Sequence, residues 1–437
     1  MTEKLFAACP QLHAAMKAKG IGPQGSRALT AEEIAGVFAE IQAGSAPPAL
    51  EGAFLAAFRI LDRTPEEERI FGEHRQRLAI LRHPETLFLA GGEGQRPAAP
   101  YDSILKKLLD HGELDSGECQ AVVRGLLETE LSDRFKAALL QGLRVKRETP
   151  EEMRALYKAL LGHAPRREVF FPDLVDIAEP YDGCGRGPSL GFYVAVVTSC
   201  LGLPTAIHGT RGLGPKYGRT CVDVMLDLGV PRLSDLEEAE RLIQEIGFAG
   251  LDQEQAFPAL KSLQPMRNAM MKRPFLATLE KLLCPLHSQG RHLLVCGYVH
   301  RDYKALLPHA IFGAGLAQEL LLMRGAEGSI VLDSSRKATV LRGTAENNME
   351  EETLEWPDDL LGGVAGAPDS PGHEREFAAS VLAGRGKAAR DVAMSVGEIL
   401  YVAGRTESRN DGCNEALQAM TSGRALEQLR RILGFKK

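Results

Sequence analysis

The residues with the greatest chemical reach lie in two glycine-containing segments. In the first, Val175-Asp176-Ile177-Ala178 reads as the end of a strand. It runs into Glu179-Pro180-Tyr181-Asp182-Gly183-Cys184-Gly185-Arg186-Gly187-Pro188-Ser189 and then a long apolar stretch. A strand that ends in such a loop and reopens as a helix presents unpaired backbone N–H groups and the positive end of a helix dipole, which suit an anion such as phosphate. The glycines alternate at 183, 185 and 187 instead of following a GxGxxG spacing, so an ordinary turn accounts for the segment equally well.

The second segment, His208-Gly209-Thr210-Arg211-Gly212-Leu213-Gly214-Pro215-Lys216-Tyr217-Gly218-Arg219-Thr220, follows another β-rich run. Loops at the carboxyl ends of strands are where open α/β sheets hold their ligands. If both loops share one sheet edge, Arg186, Arg211, Lys216 and Arg219 converge on one crevice, and arginine matches phosphate oxygens in a bidentate manner. Otherwise they are solvated loop charges. His208 by itself is more simply a hydrogen-bonded structural histidine.

The elements that must position these loops fall into two textures. Shifting the sequence by 85 positions aligns 29–71 with 114–156 without a gap and with eleven identities, among them Glu33/Glu118, Val37/Val122, Leu55/Leu140 and Arg59/Arg144. The run Thr64-Pro65-Glu66-Glu67 repeats as Thr149-Pro150-Glu151-Glu152. Each copy predicts three helices. Thr30, and Asp115 or Ser116, cap the first, and the Thr-Pro-Glu-Glu run opens the third, with carboxylates by its positive end. Segment 91–100 reads as a linker.

After Pro165, short β-rich runs at 174–178, 204–208, 292–299, 320–324 and 339–342 alternate with helical stretches, which predicts an α/β domain around a mostly parallel sheet flanked by helices. A glycine- and proline-rich loop at 362–368 precedes closing helices that include 377–382 and 414–433. The expected organisation is a helical first copy over 1–90, a linker over 91–110, a second copy over 111–165 and an α/β domain over 166–437.

Composition narrows the classes. The chain has 437 residues, of which 44% are apolar and 25% charged, with 52 basic and 58 acidic side chains leaving a net charge of −6. These are ordinary globular proportions, and disorder, collagen and wholesale polycation are excluded. No stretch reaches the roughly 18 uncharged residues of a membrane span. The start carries no apolar leader pattern, so the cytoplasm is the expected compartment. Eight cysteines without a CxxC pair predict free thiols rather than a zinc site or a disulfide framework.

Segment 29–71, the glycine loop, His208-Gly209-Thr210-Arg211 with Lys216 and Gly218, the stretch 266–286 and the closing 376–433 together resemble the anthranilate phosphoribosyltransferase group of glycosyltransferases, relatives of the pyrimidine nucleoside phosphorylases. The resemblance implies a helical domain hinged to an α/β domain, a homodimer, and phosphoribosyl pyrophosphate whose diphosphate lies on the glycine loop. It places Asp182, Gly183, Gly185, Arg186, Ser189, His208, Gly209, Thr210, Arg211 and Lys216 at that ligand, and Arg267 at the carboxylate of an aromatic acceptor such as anthranilate. It does not assign a catalytic residue.

Several motif positions depart from the family. Its Lys-His-Gly-Asn-Arg stands here as Ile207-His208-Gly209-Thr210-Arg211, and its Gly-Thr-Gly-Gly-Asp loop as Tyr181-Asp182-Gly183-Cys184-Gly185. Its magnesium-holding Asp-Glu pair is missing after Glu327-Gly328, where Ser329-Ile330-Val331 follows. Asp182, Asp223 and Glu327 are the substitute candidates for Mg2+. These departures more closely resemble a divergent branch of the family, some of whose members are thought to bind nucleic acid without transferase activity. Two readings follow: transfer of phosphoribosyl to an aromatic amine with release of pyrophosphate, or a non-catalytic nucleic-acid binder of the same fold. A helical assembly scaffold built on the repeat is a third class.

Overall fold

The computed structural model describes residues 6–22, 25–78, 84–92, 99–127, 131–179, 182–346, 349–355 and 374–434. The loop at 362–368, residues 93–98 of the linker and the pair Pro180-Tyr181 lie outside the described residues, and the part of the expected 91–110 linker from Tyr101 to Leu109 is a helix. The chain forms two compact units, one of Met1–His163 with Ala259–Leu279 and the other of Ala164–Pro258 with Glu280–Lys437. Segment 259–279 thus packs in the helical unit, although the sequence places it inside 166–437.

In the helical unit the repeat is written into the helix ends. The helices are α1 (Pro10–Lys19), α2 (Ala31–Gln42), α3 (Pro48–Ile60), α4 (Pro65–Leu78), α5 (Pro84–Leu89), α6 (Tyr101–Leu109), α7 (Ser116–Leu127), α8 (Asp133–Lys146) and α9 (Pro150–Leu161). The starts of α2, α3 and α4 recur at α7, α8 and α9 with the 85-residue shift. Reciprocal capping boxes open α2 at Thr30/Glu33 and α9 at Thr149/Glu152, and the same pair of bonds joins Asp115 to Glu118 and Thr64 to Glu67. Each box satisfies two of the donors that a helix start leaves over.

The second unit is built on a seven-stranded sheet in the order β4-β3-β2-β6-β7-β8-β9. Its strands are β2 (Asp173–Ala178), β3 (Thr205–Gly209), β4 (Phe248–Asp252), β6 (Arg291–Gly297), β7 (Glu319–Met323), β8 (Ala338–Thr344) and β9 (Glu350–Leu354), while β1 (Arg167–Val169) and β5 (Leu286–Ser288) pair separately. Five neighbouring strands run parallel and β8 and β9 antiparallel, so the expected mostly parallel sheet is borne out.

Strand β2 lies between β3 and β6, at the point where the order of the sheet reverses, so its carboxyl end opens a crevice. The helices α10 (Gly191–Cys200), α11 (Cys221–Leu228), α12 (Leu236–Ile246), α13 (Tyr303–Ala314), α14 (Glu374–Leu382), α15 (Gly386–Val402), α16 (Arg409–Thr421) and α17 (Arg424–Gly434) accompany the sheet. One core joins Val175, Ile177, Val295 and Leu321 of the sheet to α10, α14 and α15. The helix read over 414–433 is in fact two, broken at Ser422-Gly423, where Gly423 has φ +86.

Candidate active site

The site is built from the loops that leave β2, β3 and β7 at their carboxyl ends. The β2 and β3 loops meet directly. Cys184 and Arg219 exchange both backbone hydrogen bonds at 2.8 Å, and Gly218 N–H donates to Asp182 O at 2.9 Å. The approach depends on two glycines: a Cβ on Gly183 (φ +74) would fall 2.3 Å from the Gly218 carbonyl oxygen, and one on Gly218 would fall 2.7 Å from Cys184 backbone atoms. The glycine loop opens into α10, whose first turn follows the buried Ser189.

Both anion-seeking features of this arrangement already face carboxylates of the protein. Glu327, on the loop after β7, accepts from the backbone N–H of Gly185 at 2.9 Å and of Arg186 at 2.7 Å through Oε1. Its Oε2 lies 2.9 Å from Lys216 Nζ, which also donates to the Gly183 carbonyl at 3.0 Å. Glu327 holds φ +55, a conformation L residues seldom adopt. Burial would raise its pKa, but Lys216 and the two loop amides outweigh that and hold it below the ordinary glutamate range.

Glu179, the residue after β2, is buried. Its carboxyl sits at the start of α10, where a Cβ on Gly191 would come within 2.2 Å of it. Burial pushes this carboxyl up to about 7, although Lys281 and the Ile330 backbone favour the charged form.

The remaining candidates divide. Arg186 is exposed on the glycine loop, and the Ser189 Oγ is buried with no hydrogen-bond partner among the described residues. Thr210 is buried and Arg211 exposed after β3, while Gly209 closes that strand. Arg219, which the sequence aims at the crevice, pairs instead with Asp227 at 2.7 Å and Glu374 at 2.6 Å. Arg267 is buried on the short helix Gln264–Ala269 of the helical unit, whereas the loops belong to the second unit.

His208 does not face the crevice. It is fully buried, with Nε2 3.1 Å from Asp176 Oδ1 and Nδ1 2.6 Å from Gln253 Nε2. His292 Nε2 lies 3.5 Å from the other carboxylate oxygen, and Ser288 N–H donates to its Nδ1 at 3.4 Å. Among the described residues, neither histidine's Nε2 closes a hydrogen bond to the carboxylate at these distances. Burial would raise the Asp176 pKa, but the two histidines overcome this and hold it below the ordinary carboxylate range.

Among the described residues, the magnesium candidates Asp182, Asp223 and Glu327 do not come together as one group of metal ligands. Asp223 caps α11, accepting from Thr220 N–H at 2.9 Å, and Glu327 is engaged as described. Asp182 lies 3.9 Å from Lys216 Nζ. Among the described residues, the one grouping of three ligand-type side chains is Asp176, Cys284 and His292 in the interior. All eight cysteines are free thiols, as the sequence predicts.

Sequence reasoning missed Glu179, and it missed that Glu327 serves the glycine loop. It also missed the far wall of the site, an open cavity of about 1120 Å3 whose lining includes Arg186, Tyr298, Arg324, Glu327, Asp333 and Lys387. A carboxylate directly after a buried strand was the available signal for Glu179. Nothing in the spacing links Glu327 to a loop 141 residues away.

Comparison with known proteins decides the family. The family model described as the glycosyl transferase family a/b domain matches residues 189–426, and the helical bundle domain of the same family matches 15–69 and 102–164. The chain belongs to the glycosyl transferase family. Anthranilate phosphoribosyltransferases are similar members of it. That of Sorangium cellulosum is 29% identical over 354 residues, covering 77% of this chain and 95% of the relative. That of Paracidovorax citrulli is 30% identical over 342 residues, covering 75% and 95%.

The crystal structure of the Thermus thermophilus anthranilate phosphoribosyltransferase superposes with a TM-score of 0.62 at 26% identity, covering 76% of this chain and 98% of that one. The Saccharomyces cerevisiae enzyme in complex with phosphoribosyl pyrophosphate and magnesium shares the fold, with a TM-score of 0.63 at 18% identity over 77% and 97%. Both family domains recur here, and the helical bundle matches over both copies of the repeat.

Proposed function

We propose that this glycosyltransferase-family protein transfers the phosphoribosyl group of phosphoribosyl pyrophosphate to an aromatic amine such as anthranilate. The amine nitrogen forms a bond to C1 of the ribose as the C1–oxygen bond to pyrophosphate breaks; the nitrogen loses a proton and the diphosphate leaves. The observation that supports this most is the closure of the β2 and β3 loops onto each other at the sheet's reversal point, in a chain that spans 95% of an anthranilate phosphoribosyltransferase.

Positioning and charge compensation would supply most of the rate in such a displacement. The Gly185 and Arg186 amides, the Ser189 hydroxyl, the first turn of α10 and Lys216 would bind the diphosphate. Arg186 and Arg211 would offset its charge. The carboxylates present do not form a magnesium site of the family's kind, and no step here depends on one.

The test is a thermal melt with phosphoribosyl pyrophosphate, with and without magnesium, beside an assay for pyrophosphate release on anthranilate. Ligand at about 100 times its dissociation constant should stabilise the protein by roughly 2.7 kcal/mol, a rise of several degrees in the melting midpoint. An unmoved midpoint together with no release of pyrophosphate rejects the reading.

A further inference from the structure

The two copies of the helical unit are packed on each other by corresponding elements. Helices α3 and α8 are related by the repeat shift, and they form the most extensive helix pairing among the described residues. The crossing is intimate: a Cβ on Gly52 of α3 would fall 1.9 Å from the Arg134 carbonyl oxygen of α8. Beside it the buried Glu51 carboxylate accepts from Arg134 Nε at 2.8 Å.

The surroundings repeat as well. Helix α2 packs on α4 as α7 packs on α9, and α1 touches α2 and α3 as α6 touches α7 and α8. The short helix Gln264–Ala269 contacts both α3 and α8, across the seam. Like meeting like about one axis is the signature of an isologous two-fold interface between separate subunits. Here one chain supplies both sides. The seam is apolar, with Leu50, Phe54 and Phe58 of α3 and Phe135, Leu139 and Leu143 of α8 all buried. A helix apolar around its whole circumference, such as α3, requires cover on every side.

We propose that the first copy is a built-in partner. It covers, on the second copy, the surface through which a single unit of this kind would pair with another chain, and the protein is consequently a monomer rather than the homodimer implied by its resemblance. The alignment with the Sorangium cellulosum relative covers 77% of the 437-residue chain, and the roughly 100 residues left over are enough for one added copy of the 85-residue repeat.

Sedimentation of the full chain from low micromolar to tenths of millimolar concentration should give the mass of one chain, 47.4 kDa, throughout. A protease site inserted after Gly92 then separates covalent linkage from packing. After cleavage the two pieces should still co-sediment at the mass of one chain. Gly52→Leu in the cleaved protein should release the amino-terminal piece and let the remainder pair with its like. A full chain at twice the monomer mass overturns the proposal, as does spontaneous separation of the cleaved but unsubstituted pieces. A released remainder that stays monomeric overturns it too, because the covered face would then be no self-association surface.

Discussion

Two carboxylates govern how the candidate site meets an anion. Glu327 occupies the same pair of loop amides and the same lysine that a diphosphate would use, so any phosphate bound there displaces it. Glu327→Gln keeps the shape and removes the competing charge. Its affinity for pyrophosphate, measured by titration calorimetry, should rise about tenfold, equivalent to about 1.4 kcal/mol. An unchanged or weakened affinity would show that the carboxylate is not a competitor.

Glu179 makes a separate prediction through pH. Its folded-state pKa is raised to about 7, above the ordinary glutamate value, so the native state binds the proton more tightly than the unfolded chain does. The associated stability is complete below the unfolded pKa and is lost as pH rises toward 7, by roughly 3 kcal/mol in all. Urea midpoints of Glu179→Gln should lack that decline between pH 5 and 8, and a variant whose pH profile matches the parent's would refute the assignment. Gly183, Lys216 and Arg186 were legible as loop residues because glycine and cation spacing are local signals. His208, which the resemblance puts at the ligand, keeps the structural place that its residue type alone suggests, and its partner Asp176 lies on a neighbouring strand, a relation fixed by sheet register and invisible in sequence.

At the scale of elements, the repeat was readable because caps and prolines sit at fixed offsets from the helices they start. Its energetic centre was less visible. Glu67 and Glu152 are equivalent buried carboxylates. Each closes a capping box, and they accept from Leu29 N–H at 2.8 Å and Leu114 N–H at 2.7 Å, respectively. Each also pairs with a lysine at 2.7 Å, but from different places: Lys19 on α1 in one copy and Lys146 at the end of α8 in the other. Those lysines are not related by the 85-residue shift, so sequence comparison could not pair them.

Removing one partner of a buried ion pair leaves the other uncompensated. Glu67→Gln and Glu152→Gln should therefore each cost about 3 kcal/mol in urea unfolding, whereas the cap substitutions Thr64→Ala and Thr149→Ala should cost about 1 kcal/mol each. A carboxylate variant no worse than its cap variant would place the stabilisation in the cap alone. The strands missed in the sequence have a plain cause as well. Phe248–Asp252 is a five-residue strand with a central glycine, fully buried, and so lacks the alternation that marks a half-exposed strand.

For the molecule as a whole, the question is whether its basic loops could instead carry a nucleic-acid backbone. The net charge of −6 opposes a polyanion at long range, and three of the cations near the loops are already committed. Lys216 is held by Glu327, Arg219 by Asp227 and Glu374, and Lys387 by Asp333 and Asp391 at 2.7 Å each. Phosphate binding on a duplex draws its strength from releasing counterions around unneutralised cations, so loops whose charge is partly cancelled internally have less to release. Fluorescence anisotropy with single- and double-stranded DNA should show no saturable binding at physiological salt and only a shallow dependence on salt below it. Tight binding that falls steeply with added salt would mean that Glu327 and Glu374 let go of their cations in the presence of a polyanion. The same release would then have to appear as a gain in DNA affinity in Glu327→Gln, a joint outcome that only a nucleic-acid groove at this edge of the sheet would produce.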